Sequence, residues 1–113
     1  MILTTTSDIV RVVTTTATTT VGVQAGWADQ TTTAFTPGRT NTAITGAATT
    51  TIVASPLGST QRQVKTISIR NTHASLSQVA TVQHFDGTTS VDVWSGTLLA
   101  GESTEYDGTK WYR

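Results

Sequence analysis

The sequence predicts an all-β domain, a β-sandwich or jelly-roll-like barrel of roughly eight short, mostly antiparallel strands. Three observations point there. Threonine is the commonest residue, 28 of 113, and its branched Cβ suits a pleated surface and disfavours a helix. Apolar residues alternate with polar ones over runs of four to eight, separated by Gly, Pro and Asp-Gly turn signals. No segment sustains the i, i+3, i+4 apolar spacing of an amphipathic helix.

The elements follow in order. Asp8–Val13 carries Ile9, Val10, Val12 and Val13 and reads as a strand. Val21, Val23, Ala25 and Trp27 alternate with small or polar residues, which gives a second strand with one apolar face. Thr36-Pro37-Gly38-Arg39 reads as a turn, because proline presets φ and glycine admits positive values. Ile44 marks a short strand and Ala48–Ala54 another. Ser55-Pro56-Leu57-Gly58-Ser59 then breaks the pattern.

Beyond it, Gln63–Asn71 reads as a strand with Lys65, Ile67 and Ile69 on one side. Val79–Phe85 runs into Asp86-Gly87, a strong hairpin signal, and returns as Val91–Trp94. The alternation sets Trp94 on the face opposite Val91 and Val93. Leu98-Leu99 leads through Ala100-Gly101-Glu102 to Ser103–Tyr106, and Asp107-Gly108 turns the chain into Lys110–Tyr112. The whole is one domain, residues 1–113, with a Thr-rich half (1–54), a connection (55–61) and a hairpin-rich half (62–113).

Composition narrows the function. Cysteine is absent, which removes disulfides, thiolate metal sites and cysteine nucleophiles. A formal charge of +0 and 12% charged residues argue against nucleic-acid binding, which depends on clustered Lys and Arg. No apolar run is long enough for a membrane-spanning helix. Met1-Ile2-Leu3-Thr4 lacks a basic, then apolar, leader, so synthesis without a signal peptide in a cytoplasm is expected. Val, Ile, Leu and Phe together number 24, about a fifth of the chain, a thin supply for an isolated domain of this size. Part of the stability is therefore expected from surface buried against other subunits, with the segment Thr14–Val23 contributing.

Candidate chemistry is sparse. His84 and Asp86 share a strand face and with His73 would make three metal ligands, but a surface histidine and a hairpin-opening aspartate explain them as well. Glu102, Glu105 and Asp107 would supply paired carboxylates, yet turn chemistry accounts for the first and last. No Gly-x-Ser-x-Gly elbow and no phosphate-cradling loop occurs. Neither an enzyme nor a cofactor is expected. Arg62, Lys65 and Arg70 read as a solvated strand face. Trp27, Trp94, Trp111, Tyr112, Val21 and Val23 are the expected core or interface anchors, although exposed rings on a β-sandwich would alternatively stack on glycans.

The stretches Ile69-Arg70-Asn71-Thr72-His73-Ala74, Ala80–Gly87, Trp94–Glu102 and Tyr106–Trp111 resemble small structural proteins of tailed bacteriophages and prophages. Trp27, Thr36–Thr42 and Ile52–Pro56 are similar to the same group. The resemblance rests on turn and strand signatures, not on chemistry. It implies an accessory virion component that decorates or cements the capsid, or belongs to the tail and its fibre attachment. The implied partners are a larger phage structural protein and other copies of the chain, as a closed homo-oligomer such as a capsid-axis trimer or a tail ring. A carbohydrate-binding module that recognises a host surface is the alternative.

Overall fold

In the computed structural model, which covers Met1–Arg113, ten strands form two antiparallel sheets packed face to face. They are β1 (Ile2–Leu3), β2 (Ile9–Thr14), β3 (Thr20–Gln30), β4 (Phe35–Thr45), β5 (Ala48–Val53), β6 (Gln61–Asn71), β7 (Gln78–Phe85), β8 (Ser90–Leu98), β9 (Ser103–Tyr106) and β10 (Trp111–Tyr112). One sheet has the order β10-β9-β6-β3-β4, with β1 on β6 beyond the end of β9. The other has the order β5-β2-β7-β8. Three hairpins, β3–β4, β7–β8 and β9–β10, stay within a sheet, and the remaining connections cross between sheets. The fold is a β-sandwich.

Period-two alternation builds the core. Val10 and Val12 of β2, Val21, Val23 and Ala25 of β3, Ile67 and Ile69 of β6, and Ala80 and Val82 of β7 all point between the sheets and are buried. Three β-bulges shift that alternation. Opposite Val10 and Arg11 the extra residue is Ile52, so Ile52 and Val53 are buried consecutively. Opposite Gly26 and Trp27 the extra residue is Lys65, so Val64 fills the core while Lys65 lies exposed, off the side expected for it. Opposite Val82 and Gln83 it is Val93. That bulge turns Trp94 inward against Val82, on the same side as Val91, where uninterrupted alternation separates them.

Thr36-Pro37-Gly38-Arg39 is not a turn but the outer part of β4, and Ile44 belongs to the same strand. The hairpin turns instead at Thr31–Ala34, closed by the Thr31 N–H on the Ala34 carbonyl at 3.0 Å. Counting alternate pairs from that bond, Pro37 opposite Ala28 occupies a non-hydrogen-bonded position. Its missing N–H therefore faces the free edge, where proline is tolerated. Gly38 lies beneath the Trp27 ring, which would stand 3.0 Å from any added Cβ.

The other two hairpins share one device. Asp86 accepts the Thr88 and Thr89 N–H groups, Asp107 accepts those of Thr109 and Lys110, and Gly87 and Gly108 both take φ 96°. The N–H groups of Lys110 and Thr109 hold the Asp107 carboxyl down at about 2.

Two buried amides fasten the crossing loops. Gln78 accepts from the Thr15 and Thr16 N–H groups at 3.1 and 2.8 Å and donates to the Thr16 carbonyl and the Thr19 hydroxyl. Asn71 donates to the Leu76 and Leu98 carbonyls and accepts from the His73 N–H. No buried side-chain polar atom lacks a partner. The folded chain exposes 6025 Å², against about 5,950 Å² from the scaling for a monomer of its mass. Its total surface is thus that of an ordinary monomer of its size.

Candidate functional site

Of the expected anchors, Tyr112 on β10 is exposed and outside the core, and the others separate into three groups. Val21 and Val23 are plain core residues. Trp94 on β8 and Trp111 on β10 stand on edge strands of opposite sheets and meet across the gap, stacked with centroids 5.6 Å apart and planes at 26°. Tyr106 packs on Trp111 at 5.2 Å. Gly96 makes room for the seam, since a Cβ there would meet the Trp94 ring at 2.9 Å. Arg113 closes it from outside, donating to the Thr97 carbonyl and to Glu102 at 2.7 Å. These rings are half-buried against each other, so their faces are not free to stack on a sugar.

Trp27 is held differently. The Arg62 guanidinium lies 4.7 Å from the centre of its ring, grips Asp29 through two bonds of 2.7 and 2.9 Å, and donates to the Ala54 carbonyl at 2.8 Å. Arg62 is thus a clamp that ties the 54–60 connection to β3, not part of a solvated face. Its hydrogen bonds hold the Asp29 carboxyl below the usual range.

The proposed chemical groupings come apart. His73 sits in the β6–β7 loop, its Nδ1 accepting the Ser75 and Leu76 N–H groups at 3.0 and 2.9 Å, whereas His84 lies on β7. No three His, Asp or Glu side chains assemble into a metal-binding group. Glu102 is engaged by Arg113 and the Leu99 N–H. Glu105 and Asp107 line one hollow together with Tyr112, the Asp107 carboxylate being engaged by the Thr109 and Lys110 N–H groups.

The β3–β4 hairpin is accessible. Every residue from Phe35 to Arg39 is exposed, and the Phe35 ring, 66% open to solvent, stands at its far end. Beside the turn lies a hollow of about 430 Å³ lined by Thr4, Gln30, Thr31, Thr32, Ser59, Thr60 and Gln61, without an apolar side chain. By the pairing parity set at Thr31–Ala34, Arg39, Asn41, Ala43 and Thr45 direct their backbone groups away from β3 along an unpaired edge. Phe35 was hidden in the sequence by the turn signal next to it.

Comparison with protein-family models, with curated proteins and with solved structures finds no match to this chain.

Proposed function

We propose that the chain is a non-enzymatic structural component of a tailed-phage virion, assembling with copies of itself and with a larger capsid or tail protein. The observation that carries this reading is the β3–β4 hairpin, eleven residues in each strand, whose outer part presents exposed backbone, Phe35 and an unpaired edge. A neighbour gains there both apolar contact and main-chain hydrogen bonds, the mode of strand addition. Pro37 and the charged Arg39 on the same edge restrain indiscriminate pairing. The likeness of the turn and strand signatures to small phage structural proteins supplies the setting.

The test is quantitative mass spectrometry of phage particles purified from cells that carry the gene. A fixed ratio to the head or tail proteins is the expected result. A chain that is abundant in the lysate and absent from the particles would refute the proposal.

A further inference from the structure

The outer face of the β3-containing sheet carries a feature unrelated to the hairpin tip. Strand register aligns Tyr112 with Glu105, Glu105 with Ser68, Ser68 with Gln24, and Gln24 with Asn41. These five side chains form one row across five strands, all on the side away from the core. At about 4.8 Å per strand the row is roughly 19 Å long.

Two shallow hollows, of about 480 and 390 Å³, adjoin where Gln24 and Ser68 line both, and the pair makes a trough along the row. Asn41 lines one end, and Glu105, Asp107 and Tyr112 line the other.

The floor of this trough is kept low at Gly22. Glycine inside a strand weakens it, and it commonly marks a place where a ligand or another backbone approaches closely. Gly22 does not have the positive φ that demands glycine, and an added Cβ would meet nothing within 4 Å. Neither backbone geometry nor packing requires its small size. Gly26, by contrast, is explained locally, because a Cβ there would fall 2.8 Å from the Thr66 hydroxyl.

We propose that this trough binds a neutral oligosaccharide. The amides of Asn41 and Gln24 both donate and accept, the Ser68 hydroxyl does the same, and Glu105 accepts, a set that pairs with the donor-and-acceptor hydroxyls of sugars. Tyr112, 46% exposed, adds an aromatic surface at one end, with the Lys110 ammonium 5.1 Å from its ring centre. None of the lining residues is a cation; Lys110 stands over the Tyr112 ring at one end, and Arg70 and Arg39 stand on the flanking rows, opposite Gly22 and Gly26. Negative charge at Glu105 and Asp107 disfavours anionic polymers. The lining mixes polar groups with small apolar ones, among them Gly22, Val23 and Ala43, which gives a sugar ring both hydrogen-bond partners and apolar contact.

The experiment is a ¹H–¹⁵N NMR titration of the whole chain with neutral hexasaccharides of glucose, of mannose and of N-acetylglucosamine, with hyaluronate as the anionic control. Saturable shifts confined to the amides around Gly22, Gln24, Asn41, Ser68, Glu105 and Tyr112 with at least one neutral sugar are expected. Gly22→Val should weaken that binding about tenfold or more while the melting temperature holds or rises, and Gln24→Ala should weaken it by about fivefold.

The proposal is overturned by no saturable shift with any of the three sugars, by equal binding of Gly22→Val, or by stronger binding of hyaluronate. It is equally overturned if protein concentration alone shifts these resonances and Gly22→Val abolishes that effect, because the face is then a seam between copies. None of these outcomes bears on assembly through the hairpin tip.

Discussion

Replacing Trp94 by alanine tests how the two sheets are joined along their β8 and β10 edges. Truncating a fully buried tryptophan costs about 3–5 kcal/mol. Trp94 is half-buried, so about 2 kcal/mol is lost from burial, and the stacked contact with Trp111 at 5.6 Å adds about 0.5–1 kcal/mol. The expected total is about 2–3 kcal/mol. For 113 residues, an unfolding entropy near 2.1 cal/mol/K per residue converts each kcal/mol into about 4 °C, giving a fall of about 8–13 °C. Thermal unfolding followed by near-ultraviolet circular dichroism reads both the midpoint and the lost ring coupling. A double-mutant cycle with Trp111→Ala should return a coupling of about 0.5–1.5 kcal/mol. A loss below about 1 kcal/mol, or strict additivity of the two changes, would mean that the seam does not hold the edges together.

Gln78→Ala removes four hydrogen bonds from the β2–β3 loop, and at about 1 kcal/mol each, less what water recovers, should lower stability by about 3 kcal/mol in urea unfolding; a change under 1 kcal/mol would show that the loop needs no such fastening. Acid should also weaken the fold. Asp29 is lowered by Arg62, Asp8 by the Thr4 and Thr5 N–H groups against an opposing burial effect, and Asp107 to about 2 by its turn amides, all from an ordinary 3.8. Groups depressed in the folded state stabilise it fully above their unfolded pKa and lose that contribution as pH falls through the folded value. The urea midpoint should therefore hold from about pH 7 to 5 and drop between about pH 4 and 2, with a shallower drop in Asp29→Asn; a midpoint unchanged down to about pH 2 contradicts the assignment. Phe35→Asp should leave the melting temperature within about 2 °C, because the ring is exposed, while the variant no longer copurifies with particles.

The sheet content was legible because it rests on local rules. Val21, Val23, Ile67 and Ile69 keep period two, and both Asp-Gly pairs mark hairpins in fact. Where the sequence misled, a non-local partner overrode the local signal. Pro37-Gly38 has turn chemistry, but Trp27 covers Gly38 and the free edge accommodates the proline. Bulges at Lys65 and Val93 are set by the neighbouring strand and leave no mark in composition, so the facing of Trp94 could not be counted off. Gln78 and Asn71 resemble surface amides until loops distant in sequence close over them. The transverse row from Tyr112 to Asn41 was invisible for the same reason, since its members come from five strands and only register aligns them.

Hydrogen exchange, followed by mass spectrometry on the free chain and on the chain within purified particles, tests assembly through the hairpin most directly. Peptides covering Thr31–Thr45 should exchange rapidly in the free chain along the unpaired edge and become strongly protected in the particle. Identical exchange of that segment in both states would contradict assembly through β4.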